Sequence, residues 1–343
     1  MKSITAALAL FLLVGAGCSG PPDSPAPPTG PGHTRHVGAL AFSPDGRWLA
    51  SAGGDGTIRI WHVDTGREAR VITVAGQTIG GLAWSPDGRV VAAGSGDRIV
   101  RLFDAESGAE LRALTGHIRE VRRLHFSSDG ERLISADAQG GVKVWRWRDG
   151  TLLSEIKAQP VGRHRAILAI SDDGRRVAAT EYQRGLFLLD TASGTLAASA
   201  EGDESQALSQ TRFAAFSADG REIIVGLASR ELAVWDSDRK RLHLVPPARA
   251  DANRFLWQIL VHPNGKWLLT NDQRQLDLVE LSTGRILHTV MNMPGGAYPA
   301  ILSADGTLVA MSTPLYTIEL VELETGRVAR RLGTPRYSEP IED

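Results

Sequence analysis

From Val37 to Leu332 the chain is a succession of short apolar or alternating runs, each cut off by a turn rich in Gly, Asp, Ser or Thr. Runs this short, bounded by such residues and without a sustained helical spacing, predict β-strands. They come in sets of four. In the first set an apolar run, Val37–Phe42, leads into Ser43-Pro44-Asp45-Gly46, and a second run, Trp48–Ala52, leaves it. A third, Thr57–Trp61, follows Asp55-Gly56, and a fourth, Glu68–Val74, follows Thr65-Gly66. Asp-Gly and Thr-Gly pairs supply the positive backbone angles that tight hairpins need.

The set recurs to the end of the chain. Its Asp-Gly turn has copies at Asp45, Asp87, Asp129, Asp173, Asp219, Asn264 and Asp305, in steps of 42, 42, 44, 46, 45 and 41 residues. A period of roughly 40–45 residues with several strands per unit is the spacing of a propeller blade, and one such unit cannot bury both faces without neighbours. The first runs of the last three units are Thr211–Phe216, Leu256–Val261 and Ala297–Leu302. The place of Trp61 is taken by Phe103, Trp145, Leu189, Trp235, Val279 and Val321.

The pattern Gly32-His33, Asp45-Gly46, Ser51, Asp55-Gly56 and Trp61 resembles the WD repeat, and the resemblance extends over residues 32–332. It implies an all-β, seven-bladed β-propeller of four-stranded antiparallel blades. The last unit carries its own fourth strand, Arg327–Leu332, and prolines precede the first strand. Closure is therefore expected by packing of blade one on blade seven, without exchange of an N-terminal strand. The alternative is a short edge pairing by residues 30–35. Residues 333–343 read as a loose, mildly acidic tail.

The resemblance also implies that His33, Ser51, Asp55 and Trp61 form a buried structural tetrad rather than a catalytic Ser-His-Asp set. Such a network stabilises when every member is satisfied. Blade three keeps His117, Ser135 and Trp145 but has Gln139 at the Asp position, and blade two keeps Asp97 with Ala75 for His. The later blades hold Gln183, Ser229, Arg274 and Leu315 there. Blade one alone is thus expected to carry the complete network, as internal rigidity for the seam with blade seven.

Residues 1–17 read as a signal peptide: Met1-Lys2, an apolar run from Ile4 to Val14 too short to span a bilayer, and small residues before Cys18. This resembles a bacterial lipoprotein signal, with Gly15 where that family prefers Leu, and implies lipidation of Cys18. Residues 18–31, with their prolines, read as a tether. Ser19 after the cysteine implies an exported outer-membrane lipoprotein facing the periplasm of the bacterial cell envelope, with the membrane reached through the Cys18 anchor.

Composition narrows the chemistry. With 38 Lys plus Arg against 39 Asp plus Glu the net charge is −1, which argues against nucleic-acid binding by phosphate neutralisation. A monomer is expected. No Gly-rich phosphate loop, Gly-x-Ser-x-Gly elbow or metal-ligand spacing occurs, so no cofactor, metal or catalytic residue is assigned.

What remains is the face built by the loops entering each first strand. The residue ten before each Asp/Asn-Gly turn is Arg35, Gln77, Arg119, Arg163, Ser209, Arg254 and Gly295, and the next is His36, Thr78, Glu120, His164, Gln210, Phe255 and Gly296. Arg122, Arg123, Arg165 and Arg212 lie further in, with Trp257 and Tyr298 nearby. Arginines suit bidentate contacts to carboxylates or phosphates, and aromatic residues beside them suit an interface hot spot. The candidate partner-binding set is Arg35, His36, Arg119, Glu120, Arg163, His164, Arg254, Phe255 and Trp257. The expected function is a non-catalytic scaffold docking a partner protein or an anionic envelope component. A lactonase- or quinoprotein-like propeller enzyme with a site at the channel is the alternative.

Overall fold

The computed structural model describes residues 32–74, 77–157, 165–181, 185–200, 208, 211, 213–227, 231–239, 241–245, 256, 258–272, 275–292 and 299–334. Within them 28 strands form seven antiparallel sheets of four, and every sheet is made of four consecutive strands. The innermost strands are β1 (Val37–Phe42), β5 (Ile79–Trp84), β9 (Val121–Phe126), β13 (Arg165–Ile170), β17 (Phe213–Phe216), β21 (Gln258–Val261) and β25 (Ala300–Leu302). They surround a central channel. The last three start later than expected, at Phe213, Gln258 and Ala300 in place of Thr211, Leu256 and Ala297.

The turns that pattern the sequence also build the blades. In the first, the Ser43 hydroxyl donates to Asp45 at 2.6 Å, and the N–H of Trp48 donates back to Ser43 at 2.9 Å. Asp45 also accepts the Arg47 N–H, so one side chain closes the hairpin. The glycine after each of the seven Asp or Asn residues has φ between 67° and 77°, a backbone region that a side chain resists. Six blades use this Ser-Asp pair. Blade six has His262 and Asn264, where the Asn264 N–H donates to the His262 ring at 3.1 Å.

The core lies between blades. Seven apolar clusters fill the seven interfaces between adjacent sheets. At the closing seam, Val37, Leu49 and Trp61 of blade one pack on Ala310, Ile318, Leu320 and Leu332 of blade seven. The Arg330 Nε–H reaches the Asp64 carbonyl across it at 2.9 Å. Gly32 lies so close to Gly333 that a Cβ there would stand 2.9 Å from the Gly333 Cα. The ring closes by packing, with β1 to β4 (Glu68–Thr73) in one sheet and β25 to β28 (Val328–Leu332) in another. Beside the seam Arg59 is fully buried and ion-paired with Glu68, which also accepts the Gly32 N–H at 3.3 Å.

Candidate functional site

The loops entering the first strands are held by one recurring bond. The carbonyls of His36, Thr78 and Glu120 each accept an N–H at 3.0 Å, from Gly54, Gly96 and Ala138. That bond sets Arg35 and Arg119 at equivalent places on one mouth of the channel, on blades flanking blade two. Both are exposed, as is His36, whose ring lies over Gly54. Among the described residues neither Arg35 nor Arg119 has a carboxylate partner. Glu120 is engaged by Arg122, two residues along the chain. Arg163, His164, Arg254, Phe255 and Trp257 lie outside the described residues, as do Arg212, Tyr298 and Cys18. The adjacent carboxylates Asp172 and Asp173 belong to the opposite end, where Asp173 accepts the Ser171 hydroxyl as a turn former.

Blade one holds the expected tetrad. The Trp61 indole N–H donates to Ser51 Oγ at 2.7 Å, and Ser51 meets His33 Nε2 at 2.7 Å. His33 Nδ1 stands 2.9 Å from Asp55 Oδ2. With the proton on Nδ1 every donor in this chain has an acceptor. Asp55 also takes the N–H of Thr34 and the hydroxyl of Thr57, each at 2.9 Å. Ser51 is fully buried, so its hydroxyl is closed to any substrate.

The expectation that this network is confined to blade one is corrected. In blade three His117 Nδ1 stands 3.2 Å from Asp137 Oδ2, His117 Nε2 stands 2.7 Å from Ser135, and the Trp145 indole N–H donates to Ser135 at 2.8 Å. Asp137, two residues before Gln139, supplies the missing carboxylate and also accepts the N–H groups of Gln139 and Gly141. The network therefore does not mark the seam. In blade two Asp97 turns instead to Arg101, 2.7 Å away. In blade five no tetrad remains, and the buried Trp235 indole N–H has no partner among the described residues.

Burial alone would raise the pKa of Asp55. The hydrogen bond and charge of His33, with the Thr34 and Thr57 donors, outweigh it and hold the carboxyl well below its ordinary range. Asp137 is lowered by the same balance, burial against His117, Gly141 and Gln139. A depressed carboxylate contributes stability that is complete above its unfolded pKa and lost as pH falls beneath it. Stability to urea is therefore expected to hold from neutrality to about pH 5 and to fall below the unfolded value of 3.8. An Asp55→Ala, Asp137→Ala double variant should show a shallower acid limb in urea midpoints taken across this range.

The profile of the WD domain, G-beta repeat, matches residues 28–62, 68–104 and 108–146. The chain thus carries WD repeats within a seven-bladed β-propeller. The matched segments cover blades one to three, where the polar positions of the repeat survive best. Among curated proteins the chain is similar to the ribosome biogenesis protein ERB1 of Debaryomyces hansenii, 51% identical over 37 residues, which is 11% of this chain and 5% of that protein. It is also 46% identical over 43 residues to the ribosome biogenesis protein BOP1 homolog of Monosiga brevicollis, 12% of this chain and 5% of that one. With the ribosome biogenesis protein BOP1 of Rattus norvegicus it shares 47% over 45 residues, 13% of this chain and 6% of the relative. Each match is about one blade long.

These relatives are ribosome biogenesis proteins of eukaryotes, and they overturn the expected location. The reading of an exported lipoprotein at a bacterial outer membrane is corrected on that ground.

Proposed function

We propose that this propeller is a non-catalytic scaffold that captures an acidic segment of a partner protein on the mouth carrying Arg35 and Arg119. The observation that carries this reading is the pair of exposed guanidinium groups without carboxylate partners among the described residues, set at equivalent loop positions on one face. A guanidinium presents a planar fork that matches a carboxylate bidentately. Both buried Ser-His-Asp sets are taken up in the blades' own networks, which favours a scaffold over an enzyme. Arg163, His164, Arg254, Phe255 and Trp257 are assigned to the same face by their place in the repeat. Similarity one blade long carries the blade design; it does not carry the assembly its relatives join.

A fluorescent oligoglutamate peptide tests the reading. The Arg35→Ala, Arg119→Ala, Arg163→Ala, Arg254→Ala variant should weaken its binding at least about tenfold, or 1.4 kcal/mol, with an unchanged melting profile. Binding by the unaltered chain should also weaken as salt rises. Equal affinity of variant and parent for the peptide would sink the proposal.

A further inference from the structure

Below the mouth, the inner strands enclose a channel cavity of about 770 Å³, and a second cavity of about 410 Å³ opens toward blades three and four. Arg122 and Arg123 of β9 line both. The two arginines differ in their partners. Arg122 pairs with Glu120, whereas Arg123 has no hydrogen-bond or ion-pair partner among the described residues.

A local irregularity separates them. Along β9 and β10 (Leu133–Asp137) Arg123 pairs with Ala136, while Val121 pairs with Asp137, so Arg122 is the extra residue of a bulge. Arg123 is open to the channel yet ringed by the other blades. Their desolvation, with no carboxylate to offset it, pulls its pKa below the ordinary value. A guanidinium still keeps its charge at neutral pH.

Among the described residues the surrounding surface leaves no free counter-charge. Asp172 is the carboxylate among the described residues of the main cavity, and it lies at the far end beside His125. Asp137 lines the second cavity, but its two oxygens already accept bonds from His117, Gln139 and Gly141. The Gln258 side chain is held by the Ala300 backbone, donating to its carbonyl and accepting its N–H. The lining also offers small and apolar residues, among them Gly81, Leu82, Leu124, Leu168 and Ala214. A Cβ on Gly81 would stand 3.0 Å from the Arg122 carbonyl, a tighter approach than ordinary contact.

The geometry points to a second ligand site, independent of the mouth, in which Arg123 holds the carboxylate of a small organic monoacid whose apolar body lies against the channel wall. One fixed positive charge matches a monoanion, whereas a phosphate dianion would leave one negative charge uncompensated in a confined space. The cavity size falls within the range of small-molecule sites.

Calorimetric titration of the full chain at constant ionic strength tests this, with butyrate as the probe. Butyrate should bind at least tenfold more tightly than butyramide, its neutral counterpart, and more tightly than inorganic phosphate. Arg123→Met should lose at least tenfold, and Arg119→Ala should bind butyrate as the parent does. Equal binding of butyrate and butyramide overturns the site without recourse to any variant. Tighter binding of phosphate, parental affinity in Arg123→Met, or an equal loss in Arg119→Ala each overturns it as well.

Discussion

Asp137→Ala is expected to destabilise the protein by about 3–5 kcal/mol, as much as Asp55→Ala, while Gln139→Ala changes stability by less than about 0.5 kcal/mol. The repeat pattern points to Gln139, and the geometry points to Asp137. Removing the Asp137 carboxylate leaves the His117 ring and the N–H groups of Gln139 and Gly141 without their acceptor inside a buried site. Each orphaned buried group costs about 1–3 kcal/mol. The Gln139 side chain has no such role; its backbone N–H is what the network uses, and alanine keeps that. Urea denaturation of the three variants measures the totals, and hydrogen exchange places them. Asp137→Ala should loosen blade three first and Asp55→Ala blade one first. Loosening of the closing seam by both would restore the idea that the tetrad serves closure.

Gly53→Ala should cost more than about 4 kcal/mol or abolish folding, whereas Gly38→Ala should be tolerated within about 1 kcal/mol. The two glycines belong to strands that pair with each other, and neither signals its role in the sequence. A Cβ on Gly53 would stand 1.9 Å from the His36 carbonyl oxygen and 2.9 Å from the Val37 Cα. Both are backbone, so no side-chain rotation relieves the collision. A Cβ on Gly38 meets only the Ile79 carbonyl at 3.5 Å and the His36 ring at 4.0 Å, which is ordinary contact. Melting temperature and soluble yield of the two variants check the contrast. Because Gly53 backs the loop that presents Arg35 and His36, partial folding of Gly53→Ala should also carry lost capture of the acidic peptide.

The blades were legible because their signals are local. An Asp-Gly turn needs a positive φ at its glycine, and the serine two residues before the Asp closes it, so in six of the blades this hairpin is specified within six residues. Strand alternation is equally local, which is why Val37–Phe42 was readable to the residue. The His33, Ser51, Asp55 and Trp61 chain was legible only by its resemblance to a known repeat. Where blade three departs from that spacing, the reading failed: a carboxylate needs to reach a point in space, and the end of strand β10 delivers it from residue 137 as well as the turn would from 139.

Seven four-stranded blades, the turns that close them and the place of Arg35 and Arg119 on one loop face follow from short-range backbone preferences and a fixed period. Which arginine is left alone depends on the folded ring. Arg122 and Arg123 are neighbours of the same chemistry and both line the channel, yet across a bulge one pairs with Glu120 and the other has no partner among the described residues. Whether a charge has a partner is settled by every element around it. In a closed ring those elements come from all along the chain, so no window of sequence contains the answer.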